Sequence, residues 1–218
     1  MSTAELFDAT TDRNPALVVL GPGAAILRGF AIDAGQNLLN AVERILDTAS
    51  LRHLTTPGGY VMSVAMSNCG QLGWVSDRHG YRYDAIDPDS GRPWPAMPAV
   101  FRHLAAHAAQ DCGYAGFTPD ACLINVYEPG ARLSLHQDRN ERDANAPIVS
   151  VSLGLPATFL FGGPQRKDKP QRYRLEHGDV VVWGGPSRFH FHGVAPLADG
   201  YHPLLGCRRI NLTFRKAG

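Results

Sequence analysis

The chain has 218 residues, 44% of them hydrophobic and 19% charged, with a formal net charge of +1. That is enough for one domain with a sizeable core and an ordinary globular composition. Bulk charge therefore gives no reason to expect a nucleic-acid partner, and no apolar run approaches the length that spans a bilayer.

Residues Met1 to about Pro15 are polar and carry no basic segment followed by an apolar run, so no leader is expected. Val18 to Leu20 and Ala24 to Leu27 read as short strands around Gly21-Pro22-Gly23. From Asp33, a candidate N-cap, the period becomes helical, with Leu38, Leu39, Val42, Ile45, Leu46 and Ala49 on one face. A second helix is expected from Pro98 to Cys112, where Pro98 suits the first turn and Gly113 the stop. His103 and His107 share a face of it, but no carboxylate or third ligand accompanies them. Between the helices, Thr55 to Pro95 is rich in Gly, Pro and aromatic residues, with one strand-like piece at Val61 to Met66. A loop this long is uncommon unless it binds something; otherwise Trp74, Tyr81, Tyr83 and Trp94 pack on the core.

From Cys122 onward short strands alternate with turns. They are expected near Cys122–Tyr127, Leu133–Asp138, Ile148–Leu155, Thr158–Phe161, Arg172–Leu175, Asp179–Trp183, Arg188–His192 and Arg209–Phe214. Eight strands at this spacing suit a double-sheet jelly roll, giving a mostly β chain with some α. A single domain over 1–218 is expected, with N-terminal strands, helices and the aromatic segment to about 120 and the jelly-roll core from about 121. Cys69, Cys112, Cys122 and Cys207 are dispersed, which points to free thiols in a reducing compartment and a cytoplasmic protein.

His136 and Asp138 lie two apart and project the same way from a strand end, so both can reach one ion. His190 and His192 both qualify as a third ligand; His192 is preferred because Gly193 marks the strand end. Two imidazoles and one carboxylate suit Fe(II), leaving open positions for substrate and oxygen. On the last strand, alternation puts Arg209, Asn211, Thr213 and Arg215 on one face and Ile210, Leu212 and Phe214 on the other. Asn125 and Tyr127 share an inward face on an earlier strand. Two inward guanidiniums require an anion, and a dicarboxylate bound between iron and arginine answers that better than arginine–acid bridges, because few acids lie on the final strands. Arg166, Lys167, Lys169, Arg172 and Arg174 crowd one polar stretch, either a solvated hairpin or a phosphate contact.

Together His136-x-Asp138, His192 and the run Arg209 to Arg215 resemble the Fe(II)/2-oxoglutarate dioxygenase core of the AlkB family of alkylation-repair demethylases. Residues Thr56 to Tyr60, Trp94 to Pro98, Pro147 to Leu155 and His177 to Trp183 resemble the bacterial branch specifically. The resemblance implies a double-stranded β-helix that binds Fe(II), uses 2-oxoglutarate and O2, and hydroxylates N-methyl groups of bases such as N1-methyladenine and N3-methylcytosine, releasing formaldehyde. It implies iron on His136, Asp138 and His192. Arg209, Asn125 and Tyr127 would take the distal carboxylate of 2-oxoglutarate, with Asn211 and Arg215 at the end near the metal. It further implies a nucleotide-recognition lid from about Leu51 to Tyr83. In it Trp74 would stack on a flipped base opposite His136, and Tyr81 would meet the backbone. Met66, Asn140 and Arg166 complete the implied nucleotide contacts.

One position departs. The bacterial branch has an acid two residues beyond the metal-binding aspartate, where this chain has Asn140; Glu141 and Asp143 are the nearby acids that could compensate. The expected partner is alkylated DNA, single-stranded or flipped from a duplex, acted on by a monomer with no membrane association. The alternatives are a demethylase acting mainly on RNA and a non-catalytic module that captures damaged nucleic acid.

Overall fold

The computed structural model describes residues 16–218; the polar stretch at 1–15 lies outside them. Two hydrophobic periods build the layers. Period two produces fourteen strands among the described residues: β1 Leu17–Gly21, β2 Ala24–Leu27, β3 Arg52–Thr55, β4 Val61–Gly70, β5 Gly73–Asp77, β6 Gly80–Asp84, β7 Ala121–Tyr127, β8 Leu133–His136, β9 Ile148–Gly154, β10 Ala157–Phe161, β11 Gln171–Leu175, β12 Val180–Trp183, β13 His192–Val194 and β14 Arg209–Arg215. Period 3.6 produces α1 Gly35–Leu46 and α2 Ala99–Asp111. Neither helix is long and apolar enough to cross a membrane.

An eight-stranded sheet runs β1-β2-β12-β9-β14-β7-β4-β3, and a four-stranded sheet runs β11-β10-β13-β8. Together they form the jelly roll, mostly β with two helices. The helices cover the outer face of the larger sheet. Leu38, Val42 and Ile45 from α1 and Phe101 and Ala105 from α2 share one core with Ile124, Val149, Val151, Ile210, Leu212 and Phe214. Phe101 meets Phe214 edge-on at 5.6 Å between ring centres. The opposite faces of the same strands look toward the smaller sheet and carry the polar residues. β14 is the clearest case, with its apolar side chains against the helices and its arginines inward.

Three expectations need correction. Asp33 does not cap α1: Ala34 holds that position, and no side chain caps the helix. Residues 29–35 instead turn on backbone bonds from Ile32 to Gly29 and from Gly35 to Ile32, delaying the helix start. The segment at 52–84 is not a long loop. Its strand-like piece extends to Gly70, β3 pairs with it, and β5 and β6 form a separate hairpin. Finally, the strand expected at Arg188–His192 starts only at His192. Gly185–Ser187 forms a 3-10 turn, and Arg188 turns inward onto the carbonyls of Asp138 and Ala146. His190 thus lies in a loop rather than on a strand face with His192.

Candidate metal and co-substrate centre

β8 and β13 are neighbours in the smaller sheet, and their register sets His136 opposite His192. The two strands come this close because residue 193 is glycine: a Cβ there would lie 2.6 Å from the Leu133 carbonyl oxygen. Asp138 follows two residues beyond the end of β8, and ligand atoms of His136, Asp138 and His192 all lie within 4.8 Å of one another.

The hydrogen bonds orient all three for a cation. His136 Nδ1 donates to the Ser134 carbonyl at 2.8 Å and His192 Nδ1 to the His190 carbonyl at 3.0 Å. A carbonyl only accepts, so each Nδ1 carries a proton, and Nε2 is the nitrogen turned toward the ion site. Those Nε2 atoms lie 3.8 and 3.7 Å from the Asp138 carboxylate oxygens, room for an ion between them. Burial, with His136 nearby, pushes His192 down to about 3, so it is a neutral ligand at physiological pH. Burial alone would raise the Asp138 carboxyl. The Arg215 guanidinium, with both histidines, outweighs it and holds the group well below the usual carboxylate range.

Above the triad a cavity of about 770 Å³ opens between the sheets. Leu123, Asn125 and Tyr127 of β7 and Arg209, Asn211, Thr213 and Arg215 of β14 line its depth. Met66, buried beside Asn125, lines its wall, and Trp74, Tyr81, Asn140 and Arg166 line it toward the mouth. Every residue expected at the site therefore borders this one cavity.

The two arginines differ. Arg215 is already neutralised: its Nη2 donates to Asp138 at 2.8 Å, and its Nε lies 3.4 Å from Glu141. The expectation that both inward guanidiniums need an outside anion is thus wrong for Arg215, because the acids come from the 138–141 loop rather than the neighbouring strands. Arg209, 1% exposed, has no carboxylate partner among the described residues. Its Nη2 reaches Ser152 Oγ at 3.0 Å and its guanidinium lies over the Tyr127 ring at 4.9 Å. Nε and Nη1 stay buried without partners. Orphaned donors on a buried cation suit an anion with paired acceptor oxygens, such as a carboxylate entering the cavity. Asn211 is fully engaged, with Ser150, Val151, Thr213 and Asn125, and Asn125 keeps its acceptor oxygen unpartnered.

At the mouth the aromatics divide. Trp94 and Tyr83 turn inward: the Trp94 indole donates to the Asp84 carbonyl and packs where Gly73 leaves space, and the Tyr83 hydroxyl donates to Glu141. Trp74 and Tyr81 face the cavity, stacked at 5.5 Å and 12°. Arg166 lies over the Phe191 ring at 5.7 Å, exposed at the rim. Neither Glu141 nor Asp143 lines the cavity, so neither compensates for Asn140, and Asp138 is the one carboxylate among the lining residues. Sequence reasoning missed Arg188 and Trp183; the Trp183 ring lies 4.8 Å from that of His192.

A jelly roll with a His-x-Asp…His triad and a buried, unanswered arginine in the same cavity defines a non-haem iron oxygenase that uses a dicarboxylate co-substrate. The family model described as the 2OG-Fe(II) oxygenase superfamily matches residues 23–215. Within that superfamily the chain belongs to the AlkB family. It is 55% identical over 97% of its length to the alpha-ketoglutarate-dependent dioxygenase AlkB of Salmonella typhimurium and over 98% to that of Escherichia coli (strain K12), covering 98% and 99% of those proteins. The solved structure of OsALKBH1 superposes with a TM-score of 0.80 at 30% identity, covering 92% of this chain and all of the other. The protein is an Fe(II)- and 2-oxoglutarate-dependent dioxygenase.

Proposed function

We propose that the protein oxidatively demethylates N-alkylated bases in DNA, reversing alkylation damage directly. The observation that carries this reading is one cavity holding the triad, the unanswered Arg209 and, at its mouth, the Trp74–Tyr81 aromatic pair. His136, Asp138 and His192 would hold the iron, which with 2-oxoglutarate bound would supply an oxidant made from O2, the co-substrate leaving as CO2 and succinate. The protein's own part is to place and shield. Arg209 takes the distal carboxylate with Tyr127 and Asn125, while Asn211 and Arg215 serve the end near the metal, Arg215 through its grip on Asp138. Burial keeps the Tyr127 phenol protonated and able to donate.

A base reaches such a site only by leaving its stack, and an aromatic face offsets part of that cost. Trp74 supplies the face, with His136 across from it; Tyr81 and Arg166 meet the backbone, and Met66 lines the wall. A base methylated at a ring nitrogen is cationic, which strengthens its attraction to the indole. The deciding experiment supplies Fe(II), 2-oxoglutarate and O2 with matched methylated DNA and RNA oligonucleotides and measures formaldehyde and succinate. Release in step with DNA demethylation is expected. Faster RNA turnover would reassign the substrate, and binding without turnover would leave a capture module.

Two substitutions probe the mouth. Trp74 is held by its backbone, which exchanges hydrogen bonds with the Asn68 amide at 3.0 and 2.9 Å, so Trp74→Ala leaves the hairpin seated. Stacking is worth roughly 1–3 kcal/mol per base, and the oligonucleotide KM should rise by about one to two orders of magnitude. Decay of 2-oxoglutarate without substrate should continue at the parent rate; equal loss of both would mean Trp74 serves folding. Asn140→Asp should raise the ratio of cationic to neutral adduct turnover, because it places a second carboxylate among the lining residues. The gain should be modest, since the position is exposed and screened. An unchanged ratio would show that this side chain does not set the preference.

A further inference from the structure

Behind the cavity wall, Arg188 and Glu141 form a charged pair that the reaction itself does not use and that meets the site through Asp138 and Arg215. Arg188 and Glu141 are each 2% exposed at their side chains and pair at 3.0 Å. Arg188 also donates to the Asp138 carbonyl at 2.9 Å and to the Ala146 carbonyl at 3.1 Å, so it ties down both ends of the loop that follows the metal-binding carboxylate. The other oxygen of Glu141 accepts the Tyr83 hydroxyl at 2.6 Å and faces Arg215 Nε at 3.4 Å. Arg215 in turn grips Asp138 at 2.8 Å. Two guanidiniums therefore meet two carboxylates, and the cluster is neutral before any metal binds.

Glu141 is where the connections cross. Tyr83 belongs to β6, which pairs with β5 and sets Trp74 opposite Tyr83 and Ser76 opposite Tyr81 in register. The hairpin that carries the base-facing aromatics is thus hydrogen-bonded directly to the carboxylate that shares Arg215 with Asp138. Burial pushes the Tyr83 phenol well above its ordinary value, so it remains a donor.

We propose that Glu141 is a positioning residue that joins the aromatic lid to the metal ligand Asp138, so that seating the lid on a nucleotide changes the grip on the metal. The inference rests on the proposed roles of Asp138 and of the lid. Its electrostatics are direct. Glu141 satisfies Arg188 and part of Arg215; without its charge both cations lean on Asp138, through its carboxylate and its carbonyl, and that carboxylate becomes a poorer donor to a cation. Groups that orient a ligand in this way typically alter metal affinity by about 10–100-fold.

The test uses cobalt(II) alone as the probe on chelator-stripped protein, read by its absorption spectrum and by calorimetry. E141Q should bind cobalt roughly 10–100-fold more weakly than the parent, with an unchanged circular dichroism spectrum. Tyr83→Phe leaves every charge in place, so its cobalt affinity without oligonucleotide should match the parent's. A methylated oligonucleotide should change cobalt affinity by about fivefold or more in the parent, as coupled sites must influence each other reciprocally, and Tyr83→Phe should abolish that change. If E141Q does not fold, the Tyr83→Phe comparison decides alone. A parent that binds no methylated oligonucleotide overturns the functional reading. A parent that binds it with unchanged cobalt affinity, a Tyr83→Phe protein that keeps the full change, or a folded E141Q that holds cobalt as well as the parent overturns this inference alone.

Discussion

His136→Ala and Asp138→Ala should both reduce turnover by more than ~100-fold, since residues that merely orient ligands are already worth about 10–100-fold in affinity or activity. The two should differ in stability. His136 is a third exposed and its ring makes one hydrogen bond, to its own strand, so its loss costs the fold little. Asp138 is buried and answers Arg215. Removing one partner of such a pair costs roughly 3–5 kcal/mol, and Glu141 at 3.4 Å should hold the loss to the lower end. Asp138→Asn, which keeps an acceptor for Arg215, should recover much of that stability without recovering activity. Formaldehyde release and thermal unfolding in chelator check both halves. Near-parent turnover in either alanine variant would sink the metal assignment.

Arg209→Met should raise the 2-oxoglutarate requirement by roughly 30-fold or more, because truncating a buried charge-assisted pair costs about 2–5 kcal/mol. The same substitution should stabilise the protein when no co-substrate is present. A buried cation with two unpartnered donors is unfavourable until an anion arrives, and methionine fills similar space without the charge. The parent should therefore gain thermal stability on adding 2-oxoglutarate, and the variant should start higher and gain little. An unchanged co-substrate affinity would remove Arg209 from the site. A variant that is less stable without co-substrate would mean that its bond to Ser152 and its place over Tyr127 outweigh the unpaired charge.

The last strand was legible because its chemistry and its period agree: apolar and polar residues alternate without a break from Arg209 to Arg215, and both faces went where alternation sends them. The triad was legible because His136 and Asp138 lie close in sequence and a glycine follows His192. β3, β5 and β6 were not, since they are short, with a mixed burial pattern and no clean apolar face, and are held mainly by pairing. The Arg188 cluster was invisible for another reason. Its contacts join residues 47 and 58 positions apart, and Arg188 and Glu141 sit on irregular segments, where no period marks which side chain turns inward. Reasoning about Arg215 failed there too, because it looked for acids on adjacent strands and the acids sit in the loop after Asp138.

β14 is hydrogen-bonded along both edges, to β7 and to β9, so the groups on its inner face stand at intervals that cannot relax. Alternate side chains along a strand are ~6.7 Å apart. On the proposed assignment the strand acts as a gauge: a diacid one carbon shorter or longer meets the same guanidinium with its far end displaced from the metal. Attraction between arginine and carboxylate would accept any of them; a fixed interval does not. Discrimination by molecular length then resides in the distance from the Arg209 guanidinium to the metal, which the paired backbone of β14 helps to fix.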